Sequence, residues 1–122
     1  MSSKLPTHAE VVIIGGGIIG CSTAYHLAKM GKKDVLLLER KKLTSGTTWH
    51  AAGLVRAMLY SGNLTKLAKY TVELYTTLEK ETGQATGFSP IGFIEVASDK
   101  DRLEEFRRVA TFNRYCGIDV QE

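Results

Sequence analysis

Three glycines and one carboxylate in the first forty residues have the types and spacing to hold a dinucleotide. Gly15, Gly17 and Gly20 form a GxGxxG turn, and Glu39 follows nineteen positions after Gly20 (39 − 20). Gly15 lets the backbone leave a strand in a sharp turn. Gly17 lets the main chain come close to a pyrophosphate, whose charge rests on the free N–H groups at a helix start. Gly20 lets that helix pack tightly, and Ala24, one turn on, keeps the same face small. Glu39, at the end of a second strand, can accept both ribose hydroxyls. The glycine turn alone is a weak signal, because such turns arise for many reasons; here the flanking strands, the helix and the acid are all in register. Glu39 would repel a 2′-phosphate, although Arg40, Lys41 and Lys42 beside it could accommodate one. The motif does not separate NAD from FAD.

A second group of residues lies in the loop from Leu43 to Leu54. Thr44, Ser45, Thr47 and Thr48 supply hydroxyls, while Gly46, Ala51, Ala52 and Gly53 are small, and one Trp49 and one His50 sit among them. Small residues allow a flat ligand to approach the backbone, and hydroxyls can donate to phosphate oxygens. The alternative is a buried connection with Trp49 as a packing anchor and His50 as a satisfied structural residue.

These residues need elements to position them. The apolar run Val11-Val12-Ile13-Ile14 leads straight into the glycine turn, a helix-like segment follows to about Met30 with Gly31 as its stop, and Val35-Leu36-Leu37-Leu38 ends at Glu39. The order is strand, turn, helix, strand, acid: a partial Rossmann-like α/β unit. Both strands are nearly all apolar, which predicts cover on both faces of a parallel sheet. From Asn63 to about Thr82 the spacing predicts an amphipathic helix with Leu67, Tyr70, Thr71, Leu74 and Leu78 inward, capped by Asn63 and stopped by Gly83. Of Tyr60, Tyr70 and Tyr75, only Tyr70 falls on that inward face. Pro90 and Gly92 precede a short strand, Phe93 to Ala97. A last helix starts near Ser98 and Asp99 and runs to Gly117, with Leu103, Phe106 and Ala110 inward. The chain thus divides into a dinucleotide-binding βαβ unit with its loop, 9–54, and a helical and strand extension, 63–122. It reads as the N-terminal part of a larger domain.

Composition excludes several classes. The chain has 122 residues, 43% hydrophobic and 24% charged, as in an ordinary globular protein. A net charge of +3, from 16 basic and 13 acidic residues, is too small to imply nucleic acid or an anionic membrane as partner. No apolar run approaches the roughly 18 residues of a membrane span. The polar stretch from Met1 to Glu10 resembles neither a signal peptide nor an Arg-rich leader, which points to a cytoplasmic protein. Cys21 and Cys116 are too few and too far apart for a disulfide framework. No His, Cys or carboxylate residues have metal-ligand spacing, so no metal is expected. His8 and His26 are expected to be ordinary surface or helix residues, and the lysines 29, 32 and 33 a solvated helix end.

The string Thr44-Ser45-Gly46-Thr47-Thr48-Trp49-His50-Ala51-Ala52-Gly53-Leu54, with Glu39-Arg40 before it, resembles the sarcosine dehydrogenase and dimethylglycine dehydrogenase family. The resemblance extends through Ala24-Tyr25-His26-Leu27-Ala28-Lys29 and Leu78-Glu79-Lys80-Glu81-Thr82-Gly83 and covers nearly the whole chain. It implies FAD, held covalently through an imidazole nitrogen of His50, with Ile18, Ile19, Glu39, Arg40 and the backbone from Gly46 to Leu54 around the cofactor. It also implies oxidative N-demethylation of a glycine-derived methylamine by hydride transfer to flavin. The one-carbon product would be released as formaldehyde or passed to tetrahydrofolate on a later domain, and the electrons to an electron-transfer flavoprotein or oxygen. Eukaryotic members work in the mitochondrial matrix, the alternative to the cytoplasm. Substrate-clamping and acid–base residues are expected beyond residue 122, so none is assigned here. The non-catalytic regulatory subunit of pyruvate dehydrogenase phosphatase, in the same superfamily, lacks the Trp–His pair, so Trp49 and His50 favour an enzyme. Other readings are a different FAD-dependent amino-acid or amine oxidase, a non-catalytic relative, or a structural remnant. Two strands bury too little to offset chain entropy, so the 122 residues alone are expected to hold FAD weakly or not at all.

Overall fold

The computed structural model describes residues 5–122, and Met1 to Lys4 of the polar lead-in lie outside the described residues. The chain forms two compact units, one ending at Gly53 and the other running from Leu54 to Glu122.

In the first unit, β1 (Val11–Ile14) pairs in parallel with β2 (Val35–Leu38), Val11 opposite Val35 and Ile14 opposite Leu38. The connection is α1 (Ile18–Lys29), which packs on both strands. A parallel pair needs such a crossover, since a tight turn would return the chain antiparallel. Gly31, at φ 86°, follows the helix end, and its N–H donates to the Ala28 carbonyl. Along β1 the pleat sends Val11 and Ile13 into partial burial, while Val12 and Ile14 face out, Ile14 being 87% exposed. The second face of the sheet is therefore open along β1 among the described residues, while β2 is half-buried throughout, less than the cover on both faces that the apolar runs predict. One helix can shield only one side of a sheet. In α1, Tyr25 meets the His26 ring edge-on at 5.0 Å, and the His26 Nδ1 lies 2.6 Å from the Ser22 carbonyl, an ordinary helix histidine.

The second unit holds α2 (Gly62–Thr82) and α3 (Lys100–Tyr115). Ser61, rather than Asn63, caps α2, its hydroxyl accepting from the Leu64 N–H at 3.4 Å, and Gly83 closes the helix in the left-handed conformation. Asp99 caps α3 by accepting from the Arg102 N–H at 2.8 Å. That bond, and next the Ser98 hydroxyl, hold the Asp99 carboxyl below its ordinary range.

The seam of α2 departs from the periodicity reading. Thr65 and Ala68 are buried, and Val72 and Tyr75 continue that face, whereas Leu67 is 62% exposed and Tyr70 is also largely open. Lys69 is half-buried and donates to the carbonyls of Cys116 and Gly117 at 3.4 and 3.2 Å. A polar anchor fixes the rotation: Asn113 and Thr65 are fully buried and both reach Leu59. Two short polar side chains tied to one backbone position draw the first half of α2 in at Thr65 and Ala68 rather than Leu67, while Thr71, Leu74 and Leu78 of the expected stripe are half-buried. In α3, Ala110 is buried and Phe106 half-buried as expected, but Leu103 is exposed. Tyr75 makes an aromatic contact, 5.6 Å from the Phe88 ring centre.

No strand forms over Phe93 to Ala97. Ile91, Ile94 and Val96 are almost fully exposed there. Extended backbone becomes a strand only when a neighbour takes up its N–H and C=O groups, and none of the described residues does so. What holds the segment is Arg56, whose guanidinium lies 5.7 Å from the Phe93 ring centre and 3.3 Å from a Glu95 oxygen.

Candidate flavin site

The glycine bend is the most bonded part of the first unit. Gly15 takes φ +105°, a conformation other residues avoid, and its N–H donates to the Leu38 carbonyl at 2.8 Å. Gly16 is buried and held from both sides. Its N–H donates to Glu39 Oε2 at 2.8 Å, and its carbonyl accepts from the Thr44 N–H at 2.8 Å. Leu43 lies over it, since a Cβ at Gly16 would come 2.5 Å from Leu43 Cδ2. Gly20 faces the bend itself, where a Cβ would stand 1.9 Å from the Gly15 carbonyl oxygen. Tight packing at Gly20 is thus helix against bend more than helix against sheet.

Glu39 leaves β2 with both oxygens engaged, Oε2 by Gly16 and Oε1 by the Lys41 N–H at 2.8 Å. The Gly16 N–H first, and then the Lys41 N–H, lower its pKa below the ordinary 4.5. Each oxygen keeps a lone pair, so the carboxylate can still accept ribose hydroxyls. The sign of the pH dependence follows. A depressed folded-state pKa gives stability that is present above the unfolded value near 4.5 and is lost as pH falls through the lower folded value. Glu39→Gln should therefore flatten the acid limb of a thermal-melting profile between pH 6 and about pH 3. Melting temperatures followed by circular dichroism at each pH check this, and identical acid limbs for the two proteins would refute it.

The loop after Glu39 turns back onto the bend. Thr44 adopts φ 63°, an outlier for a β-branched residue, in the conformation that delivers its N–H to Gly16. Residues Thr47–His50 make one 3-10 turn. Within it Thr48 Oγ1 accepts from the Ile18 N–H, the first of α1, at 3.0 Å, and a Cβ at Gly17 would come within 3.1 Å of that hydroxyl. Thr48, expected as a donor to phosphate, is here an acceptor for the helix. Gly17, the residue that caps α1, offers no side chain of its own.

Trp49 is 78% exposed and His50 is exposed. Trp49 is therefore no packing anchor. The imidazole of His50 lies at the surface rather than in an enclosed cavity, on a turn that is bonded to the glycine bend. Two strands and one helix provide too few walls to enclose a ring. Ile18 and Ile19 are both exposed at the helix start, Arg40 is exposed beside Glu39, and Gly46, Thr47, Ala51, Ala52, Gly53 and Leu54 are open along the loop. Leu54 begins the second unit, so the site is described from Gly15 to Gly53. The structure adds Gly16, which the sequence reading left out, and brings Leu43 and Thr44 of the loop onto it. The signal for Gly16 was its place as the middle of three consecutive glycines.

The bend fits the nucleotide end of FAD. Gly17 and Gly20 keep the start of α1 close against Thr48 and the Gly15 carbonyl, and the Ile19 and Gly20 N–H groups, in the first turn of α1, have no intrahelical acceptor and can donate to a phosphate. No helix among the described residues is long and apolar enough to cross a membrane, and none of their His, Cys, Asp and Glu side chains gather as a metal site would need.

Comparison with known proteins matches residues 10–122 to the family described as FAD dependent oxidoreductase. The chain belongs to that family. It is 52% identical over 99 residues to dimethylglycine dehydrogenase of Rattus norvegicus, covering 81% of this chain and 12% of that protein. It is 44% identical over 119 residues to sarcosine dehydrogenase of Homo sapiens, covering 97% of this chain and 13% of that protein. It is also 44% identical over 117 residues to the pyruvate dehydrogenase phosphatase regulatory subunit of Mus musculus, covering 96% and 13%. The chain thus spans about an eighth of the length of these relatives. Among solved structures, L-proline dehydrogenase from P. horikoshii superposes with a TM-score of 0.85 at 29% identity, over 93% of this chain and 30% of that one. The βαβ unit with its glycine bend is accordingly the Rossmann-like part of a flavoprotein fold.

Proposed function

We propose that this chain is the nucleotide-binding and flavin-anchoring part of an FAD-dependent oxidoreductase that N-demethylates a glycine-derived methylamine, sarcosine or dimethylglycine. The observation that carries the reading is the bond from Thr48 to the Ile18 N–H, which fixes the His50 turn to the glycine bend. One ligand with a flat ring at one end and a diphosphate in its middle can reach both. When bound, the flavin supplies the hydride acceptor for an N-methyl C–H. This chain's residues bind and orient. The Ile19 and Gly20 N–H groups would donate to the pyrophosphate, Glu39 would accept the ribose hydroxyls, and His50 would hold the flavin through an imidazole nitrogen, a net two-electron oxidation with dioxygen as the acceptor. The released one-carbon unit leaves as formaldehyde or goes to tetrahydrofolate, and electrons leave to an electron-transfer flavoprotein or oxygen. The two dehydrogenase relatives favour these substrates, and the rat enzyme's mitochondrial name favours the matrix over the cytoplasm.

A non-catalytic, regulatory role is the second reading, favoured by the 44% identity to the phosphatase regulatory subunit. Tryptic digestion separates the two. Cleavage after Lys42 and Arg56 releases Leu43–Arg56, which contains His50 as its only histidine. The peptide is expected to carry the added mass of FAD, and His50→Ala to abolish acid-stable flavin. An unmodified peptide from a protein that oxidises no methylamine would favour the regulatory reading.

A further inference from the structure

The loop from Glu39 to Thr48 is bonded to three backbone groups of the glycine bend and helix start, two on Gly16 and one on Ile18. Glu39 takes the Gly16 N–H, Thr44 donates to the Gly16 carbonyl, and Thr48 takes the Ile18 N–H. The first two hold residues near β2. Thr48 alone lies in the turn that carries His50, and it reaches across 30 positions of sequence with a side chain of only three heavy atoms. Its hydroxyl supplies the cap that Gly17 cannot, so one bond both ends α1 and sets the turn. Thr44, the residue forced to positive φ, shows that the loop accepts backbone strain to keep this path. Trp49 and His50 are exposed, so the turn is not anchored by a buried side chain of its own.

We propose that Thr48 is a positioning residue for flavin attachment: by holding the 3-10 turn to the start of α1, it sets the His50 imidazole at one fixed place relative to the pyrophosphate-binding bend. The inference rests on the His50 reading above. Attachment requires a nitrogen and a methyl carbon to meet within bonding approach while the nucleotide end is held elsewhere. A turn free to drift by an ångström would lower the rate steeply without weakening nucleotide binding. The bond itself is an amide donating to a hydroxyl oxygen, which serine reproduces and valine, of the same shape as threonine, does not.

The test uses the whole protein, prepared as apoprotein and incubated with FAD. Covalent flavin is measured over time as acid-stable absorbance, and total flavin by gel filtration. Thr48→Val is expected to attach FAD roughly three- to tenfold more slowly, the factor expected for one lost hydrogen bond, with total bound FAD near the wild-type level. Thr48→Ser is expected to restore the wild-type rate. Equal attachment rates for the valine variant and wild type would overturn the proposal, as would slow attachment in the serine variant. Hydrogen exchange in the wild-type apoprotein tests the bond should the valine variant fail to fold. The Ile18 N–H should exchange more slowly than those of Ile19 and Gly20, and equal exchange would overturn the proposal. Absence of covalent flavin in the wild type, with a protected Ile18 N–H, would remove the His50 reading and leave Thr48 a helix cap only.

Discussion

Gly20→Ala is expected to cost the protein about 3 kcal/mol, the upper range for forcing an extra methyl into packed structure. The new Cβ would lie 1.9 Å from the Gly15 carbonyl oxygen and 3.4 Å from Ile13 Cγ2. A flexible side chain could move aside, but the first obstacle is backbone, fixed in turn by the Gly15 N–H bond to Leu38. Relief requires α1 to lift from the bend, which moves the Ile18 N–H away from Thr48 and spreads the N–H groups of the helix start. If the whole cost falls on the holding of FAD, retention weakens about a hundred-fold, since each 1.4 kcal/mol is a factor of ten. Gly16→Ala should be milder, because its nearest obstacle is the movable end of Leu43. Flavin content per chain and calorimetric melting temperature measure both effects. Wild-type values for Gly20→Ala would show that the helix does not press on the bend.

In the second unit, Asn113 carries the largest expected effect. It is fully buried, its Oδ1 accepts from the Leu59 N–H at 3.2 Å, and its Nδ2 donates to the carbonyls of Leu59 and Val109 at 3.0 and 2.9 Å. Asn113→Ala removes three bonds and leaves the Leu59 N–H without its acceptor. The Leu59 carbonyl keeps the Thr65 hydroxyl at 3.4 Å. An unsatisfied buried donor and a small cavity together should destabilise by about 2–4 kcal/mol. Asn113→Asp is nearly identical in shape yet should be worse at neutral pH. It would set a carboxylate oxygen against two carbonyls where an NH₂ now donates, and would bury a charge that only the Leu59 N–H meets. Urea unfolding should rank the three proteins wild type, alanine, aspartate in falling stability. An aspartate variant as stable as wild type would contradict this hydrogen-bond assignment.

The nucleotide-binding arm was legible in the sequence because its signals are local. Strand, turn, helix and strand are set by runs of four apolar residues, by glycines and by one stop, and the bounds of β1, β2 and α1 follow them to within a residue. The helix rotations were legible only in part: Phe106, Ala110, Leu74 and Leu78 are turned in as their spacing implies. Leu67 and Tyr70 look inward by spacing, but the bonds from Asn113 and Thr65 to Leu59 decide which side of α2 is buried. The first of these joins residues 54 positions apart, a pairing that no periodicity contains. The strand expected over Phe93 to Ala97 failed for a related reason, since a strand is a property of two segments and only one was read. In the site, the types were legible and the bonding was not. Glu39 stands where an acid was expected, yet it also holds Gly16, and Thr48 turns its hydroxyl to the protein.

The ribbon made by β1 and β2 has a further consequence. Each strand has a single neighbour, so each presents an outer row of amide hydrogens and carbonyl oxygens with no pairing partner among the described residues, beside the outward Val12 and Ile14. Such open margins recruit additional strands from whatever chain segment is at hand. Expressed by itself, this stretch would add copies margin to margin and build sheet-rich assemblies, with amide-band infrared absorption growing as concentration rises. Lengthening the ribbon with further parallel strands would close the margins and turn the same groups into the interior of a wide, soluble sheet.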